Sequence, residues 1–296
     1  MLGAEKISEP RRGKQPCSGS RGITGALALR RWRESIFVMM TAYFDCSHNG
    51  KGSGGSVAVS GWLSSGERWE QFDYEWDQIL EEFQVPYFHM KEFAHSVGAY
   101  SQGWKGENGK RAEFIQRLVA AISRNAMAGF ACLVERNVFD RVNEEFQVRE
   151  YYGNEYALCG RICVSQVRHW LDERGDKNGV HHIFEDGDER GRLSWLLESD
   201  GYAAPVFFPG KDRIAKDGSL IRGLLPLQAA DLAAYEMRKA FDDFGDAQVL
   251  EEVARYRKSF RAVAGALDQG QWGRCSAEDL RHFCNVRAVE RRRGVS

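Results

Sequence analysis

Acidic side chains sit inside or at the ends of apolar stretches at three distant points of the chain. Asp45 ends the run Tyr43-Phe44-Asp45. Glu185-Asp186-Gly187-Asp188-Glu189 ends the run that begins at Val180. Asp231 lies within Leu227-Gln228-Ala229-Ala230-Asp231-Leu232-Ala233-Ala234-Tyr235. A carboxylate in so small and apolar a helix is costly to bury unless it is paired or bound to a metal, and the alanines beside it would let the helix approach a sheet closely. Ligands of open α/β sheets gather at the carboxyl ends of strands, where Asp45 and Glu185 are expected. Three such acids on one rim would offer hard oxygen donors to one or two Mg²⁺ or Mn²⁺ ions.

Strand alternation orders the candidates in the second cluster. Glu185 shares a face with His181 and Ile183, and Asp186 shares one with His182 and Phe184, so the two are not both ligands unless the strand has ended. Gly187 predicts a turn that frees Asp188 to swing back, which makes Glu185 the first candidate and Asp188 the second. The His181-His182 pair points to opposite faces and is a poor two-ligand site. Each acid also has an ordinary use: Asp45 as a turn cap, the 185–189 run as a solvated loop or helix start, Asp231 in an ion pair with Arg222 or Arg238.

The elements that must position these acids are legible from periodicity. Phe37 to Asp45 and Gly55 to Leu63 read as two strands of a hairpin around a Gly/Ser loop. Ser64 with Glu67 three residues on reads as a capping box, after which Trp69, Phe72, Trp76, Ile79, Leu80 and Phe83 recur at helical spacing. A short stretch Val85 to Met90 and a Gly-rich loop near 96–109 follow. Then come a helix near 110–124, a strand near 127–136 and a helix near 154–173, on whose apolar stripe Cys159 and Cys163 fall as core residues. Val180 to Glu185 and Ala204 to Phe208 are strands; Arg192 to Glu198 and Leu225 to Phe241 are helices. Strands in succession, then alternating with helices, predict a mixed α/β sheet covered on both faces.

Composition bounds the rest. With 43% hydrophobic and 28% charged residues in 296, the chain belongs to the ordinary globular class. Residues 1–38 hold eight Lys/Arg against three Asp/Glu, which leaves 33 against 39 in the remainder. Nucleic-acid binders usually carry a basic excess, so such a role here requires a local patch or bound cations. Seven cysteines without C-x-x-C spacing give neither a disulfide framework nor a zinc knuckle and fit a reducing cytoplasm. The apolar run Ile36 to Phe44 is too short to span a bilayer. Residues 1–38 read as a flexible basic leader, either outside the translated chain if Met39 or Met40 is the start, or an arm that touches nucleic acid. Residues 39–245 read as the main domain, and 246–296 as a helical extension with a basic tail at Arg291-Arg292-Arg293.

Four segments taken in order, Tyr43-Phe44-Asp45-Cys46-Ser47, Tyr87-Phe88-His89-Met90-Lys91-Glu92-Phe93, Phe184-Glu185-Asp186-Gly187-Asp188 and Leu227-Gln228-Ala229-Ala230-Asp231-Leu232, resemble the bacterial and phage family called domain of unknown function 3800, over roughly residues 40–243. That family is similar to ribonuclease H-like nucleases. The resemblance implies a ribonuclease H-like mixed sheet with the first acid, Asp45, on strand one, a middle cluster at Glu185 and Asp188, and Asp231 on a later helix. It adds His89 and Glu92, a His and an acid three residues apart. Cys46 departs from the pattern, which commonly has an acid there, and receives no role.

The expected chemistry is metal-dependent hydrolysis of a phosphodiester in RNA or DNA. Asp45, Glu185 and Asp231 would hold the ions, with Asp188 and Glu92 as further ligands, while bound metal would activate a water and stabilise the leaving oxygen. His89 is a ligand, a proton donor to that oxygen, or a hydrogen-bonded histidine near the sheet. Gln228 lies on the face of Asp231 as a supporting residue, and Lys211 offers a phosphate contact. The rival from another class is a non-catalytic module binding nucleic acid or protein, with Trp69, Trp76, Trp104 or Trp272 stacking bases, although most fall at core spacing. An ATPase of related topology ranks third, since glycines near 50–55 lack any Walker-type lysine spacing.

Overall fold

A computed structural model describes residues 40–49, 54–187, 189–244, 257–267 and 270–292. Its centre is a six-stranded sheet built from β1 (Met40–His48), β2 (Ser56–Ser65), β3 (Ala128–Glu135), β4 (Val180–Glu185), β5 (Val206–Phe208) and β8 (Gln271–Arg274). The order across the sheet is β5-β4-β1-β2-β3-β8. Only β2 runs against the rest: it pairs antiparallel with β1 and β3, whereas β1–β4, β4–β5 and β3–β8 are parallel. A separate two-stranded hairpin, β6 (Arg213–Ile214) with β7 (Leu220–Ile221), stands outside this sheet.

Alternation along each strand divides the core in two. Tyr43, Trp62 and Ile183 face one layer, made by α1 (Gly66–Glu82), α2 (Met90–His95), α3 (Asn108–Asn125), α8 (Leu225–Phe244) and α9 (Lys258–Leu267). Ala42, Phe44 and Phe184 face the other. It is made by α4 (Arg136–Phe146), α5 (Val148–Tyr152), α6 (Glu155–Glu173), α7 (Arg190–Ser199) and α10 (Ala277–Arg292). The sheet is therefore covered on both faces, as the alternating pattern predicts. Among the described residues no helix is long and apolar enough to cross a membrane.

The hairpin of β1 and β2, the α1 stripe and the cysteine stripe of α6 stand as read; Cys159 and Cys163 are fully buried. Three details differ. The cap of α1 is Ser65, whose hydroxyl accepts from the Arg68 N–H; Ser64 is buried and donates to the Asn125 carbonyl at 2.6 Å, so the Ser64/Glu67 box does not form. Strand β1 also continues three residues beyond Asp45 to His48. The segment after 257 contributes strand β8 at the sheet edge as well as helices.

Small residues set how closely α8 lies on the sheet. Ala229, Ala230, Ala233 and Ala234 are fully buried, and the Trp62 indole N–H reaches across to the Ala229 carbonyl at 3.1 Å. Opposite Phe44 on β2, Gly61 has no room for a side chain, because a Cβ there would lie 2.0 Å from the Tyr43 carbonyl oxygen.

Candidate active site

Register brings the first two acids together. β1 and β4 run parallel with Phe44 opposite Phe184, so Asp45 and Glu185 follow at one level on neighbouring strands. By alternation both point with Tyr43 and Ile183 toward the α8 layer. Helix α8 crosses that face and supplies Asp231. These three acids, separated in sequence by 140 and 46 positions, interact electrostatically with one another.

A second set of contacts ties the loops to this centre. Gln228, one turn before Asp231, accepts from the Trp76 indole at 3.0 Å and the Phe88 N–H at 2.8 Å, while its amide donates to the Gly210 carbonyl at 2.8 Å. Asp231 accepts the Met90 N–H at 2.6 Å, and Glu185 accepts the Gly210 N–H at 3.2 Å. Gln228 and Asp231 thus clamp the segment 88–90 against α8, and that clamp carries His89 and Glu92 to the rim. Gln228 is the supporting residue its helix position suggested; Gly210 and Met90 act through backbone groups that no side-chain pattern advertises.

Glu92 has both oxygens engaged. One accepts from Lys211 at 2.8 Å and meets His89 Nδ1 at 3.1 Å; the other accepts from the Tyr87 hydroxyl at 2.8 Å and the Ala99 N–H at 3.4 Å. Burial pushes its carboxyl up, but the Lys211 and Tyr87 hydrogen bonds outweigh that and hold it at about 2. Those partners compete with metal ligation by Glu92. Lys211 also lies 4.9 Å from the Tyr87 ring centroid.

The three central acids behave differently. Asp45 is only 6% exposed; burial, then the charges of Glu185 and Asp231, push its carboxyl well above the usual range, against one opposing hydrogen bond from the Cys46 N–H at 2.6 Å. Asp231 rises to about 6 through burial and the Glu185 charge, moderated by His89, the Met90 N–H and Lys211. Burial also pushes the Cys46 thiol up, so it is no poised nucleophile.

The expected alternatives for Asp231 are absent: Arg222 pairs with Asp212, and Arg238 pairs with Asp242. Asp186 turns away from the centre to Arg190 and Arg213. Asp188 lies outside the described residues. His182 is buried, and desolvation followed by the His181 charge lowers it to about 4. Trp69, Trp76 and Trp104 are core residues at 2% exposure or less and present no stacking surface; Trp272 is half-buried against the same core.

The donor chemistry of Asp45, Glu185 and Asp231 fits a hard divalent cation: three oxygen-bearing groups crowd one another and raise two carboxyls, a penalty that a cation would relieve. Among the described residues, however, no three His, Cys, Asp or Glu side chains already stand in ligating geometry. Compared with protein-family models, with curated proteins and with solved structures, the chain matches none.

Proposed function

We propose that this chain is a metal-dependent phosphodiesterase acting on RNA or DNA, built on a ribonuclease H-like sheet and working in the cytoplasm. The observation that carries the reading is the convergence of Asp45, Glu185 and Asp231 from β1, β4 and α8. The mixed sheet, β5-β4-β1-β2-β3-β8 with β2 alone reversed, is compatible with that fold. It supports the resemblance of the four motifs to the domain of unknown function 3800 family. The described cysteines are all free thiols, in keeping with a reducing compartment.

Asp45, Glu185 and Asp231 would hold one or two Mg²⁺ or Mn²⁺ ions, which supply an activated water and stabilise charge on the leaving oxygen. The chain's own groups do the rest. Glu92 orients His89 through Nδ1 and leaves Nε2 to exchange a proton at the rim, while Gln228 and the Met90 N–H hold the 88–90 segment in place. Lys211, 43% exposed at its side chain, lies where it can meet a phosphate.

The test is cleavage of mixed single- and double-stranded RNA and DNA in Mg²⁺ or Mn²⁺ by the full chain, beside Asp45→Asn and Glu185→Gln. Metal-dependent products from the wild type, lost in both variants, are expected. Metal-indifferent binding without cleavage would favour the binding-module reading.

A further inference from the structure

The segment between β5 and α8 leaves the carboxylate centre and returns to it. On the way out, the Asp186 N–H donates to the Phe208 carbonyl, the Gly210 N–H to Glu185, and Lys211 to Glu92. On the way back the Leu224 N–H donates to the Pro209 carbonyl at 2.9 Å. Gly223 passes so close to Lys211 that a Cβ would lie 2.4 Å from the Lys211 Cα. Both ends of the projecting arm are thus pinned within two residues of groups that touch Glu185, Glu92 or Gln228. The arm itself is the β6–β7 hairpin, closed by Ala215 and Ser219 and turned at Gly218, where φ is +83°.

Beneath the hairpin lies a cleft of about 650 Å³, lined by Asp186, Gly187, Arg190, Arg213, Lys216 and Ile221 among others. Among the described residues that line it, three cations face one carboxylate, in a chain whose net charge is −1. Asp186 is shared by Arg190 and Arg213, whose side chains are 61% and 47% exposed. Asp186 itself is only 10% exposed and takes one nitrogen from each guanidinium, which leaves the other N–H groups of both arginines to meet a phosphate. Lys216 makes no ion pair with another described residue. Ile214, which also lines the cleft, is 68% exposed, and its cross-strand partner Leu220 is 49% exposed. Apolar side chains held out in water beside cations match a ligand that carries both phosphates and flat apolar faces. The bases of a single strand are accessible, whereas those of a duplex are hidden by pairing and stacking. The volume falls in the ~300–1,000 Å³ range of small-ligand pockets, which suits a nucleotide or two of one strand and not a duplex.

We propose that the β6–β7 hairpin and the start of α7 form a strand-gripping cleft beside the carboxylate centre. Arg190, Arg213 and Lys216 take the phosphates of a single-stranded polynucleotide there, and Ile214 and Leu220 lie against its bases. This deepens the nuclease reading and rests on it for the direction in which the strand runs, but the cleft binds whether or not the acids cut.

The experiment measures binding of fluorescent 20-nucleotide single strands and the matching duplex, by anisotropy at several salt concentrations in EDTA, to the full chain. Arg213→Ala/Lys216→Ala is expected to weaken single-strand binding about tenfold and to reduce the salt slope by about 1.4, since each phosphate contact on a single strand contributes about 0.7. Ile214→Ser/Leu220→Ser should weaken it about threefold with the slope unchanged, and Arg168→Ala/Arg281→Ala, on α6 and α10 and away from the cleft lining, should do neither. Unchanged affinity in both arm variants, a preference for duplex, or no binding by wild type would overturn the proposal. Metal-dependent cleavage with unaltered binding in the arm variants would overturn the cleft and leave the nuclease. Arm-dependent binding with no metal-dependent cleavage would uphold the cleft and overturn the nuclease.

Discussion

Replacing Asp231 by Asn should stabilise the metal-free protein at neutral pH. Asp231 titrates at about 6 in the folded chain against 3.8 for an ordinary aspartate. Burial and Glu185 penalise its charged form more than His89, Lys211 and the Met90 N–H favour it. Above pH 6 the group is ionised in both folded and unfolded chains, and folding bears the whole penalty. Below about 4 it is protonated in both, and the penalty is gone. A difference of about two pH units corresponds to about 2–3 kcal/mol. Asn removes the charge and keeps an oxygen for the Met90 N–H, so the gain should be present at pH 7.5, shrink as pH falls through 6, and vanish by pH 4. Urea unfolding in EDTA, followed by tryptophan fluorescence at pH 7.5 and pH 4, measures it. A variant less stable than wild type at pH 7.5, or one with the same gain at both pH values, would refute the claim that the site is electrostatically crowded.

Three other substitutions probe the scaffold. Gln228→Leu strips partners from the Trp76 indole, the Phe88 N–H and the Gly210 carbonyl at once; it should cost about 3 kcal/mol or more in urea unfolding and lower metal affinity, through the 88–90 and 210 segments it releases. Arg238→Met breaks the buried contacts with Ser47, Asn49 and Asp242 that fasten α8 to the end of β1; a loss of about 2–3 kcal/mol by the same assay is expected, because the largely buried Asp242 charge keeps only the Asn49 amide and the Ser56 hydroxyl. Gly61→Ala forces a Cβ against the Tyr43 carbonyl and should leave little folded protein by circular dichroism, since the clash is with backbone and has nowhere to relax.

Much of the scaffold was legible because its elements are long and strongly periodic. The α1 aromatic stripe, the α6 cysteine stripe and the alternation in β1 and β4 each report which face is buried, and the last two place Asp45 and Glu185 correctly relative to each other once β1 and β4 are known to be parallel. The alanines around Asp231 reported a close helix–sheet approach for the same reason. Short elements were not legible. Strand β8 has four residues, two of them Trp272 and Gly273, and no period can be counted over so few. The β6–β7 hairpin carries Asp217-Gly218, a turn signal, but its strands are two residues each. Nor could spacing foretell that Glu92 would meet Lys211, 119 positions away. The choice of Ser65 over Ser64 as the cap of α1 depends on Asn125, brought near by β3. Such pairings are decided by tertiary packing and leave no local trace.

Calorimetric titration of the full chain with Mg²⁺ and Mn²⁺, wild type beside Asp45→Asn, Glu185→Gln and Asp231→Asn, tests the central claim most directly. Binding of one or two ions by the wild type, weakened at least about tenfold by each substitution, is the predicted result. A folded wild type that takes up neither ion, or one whose binding survives all three substitutions, would contradict it.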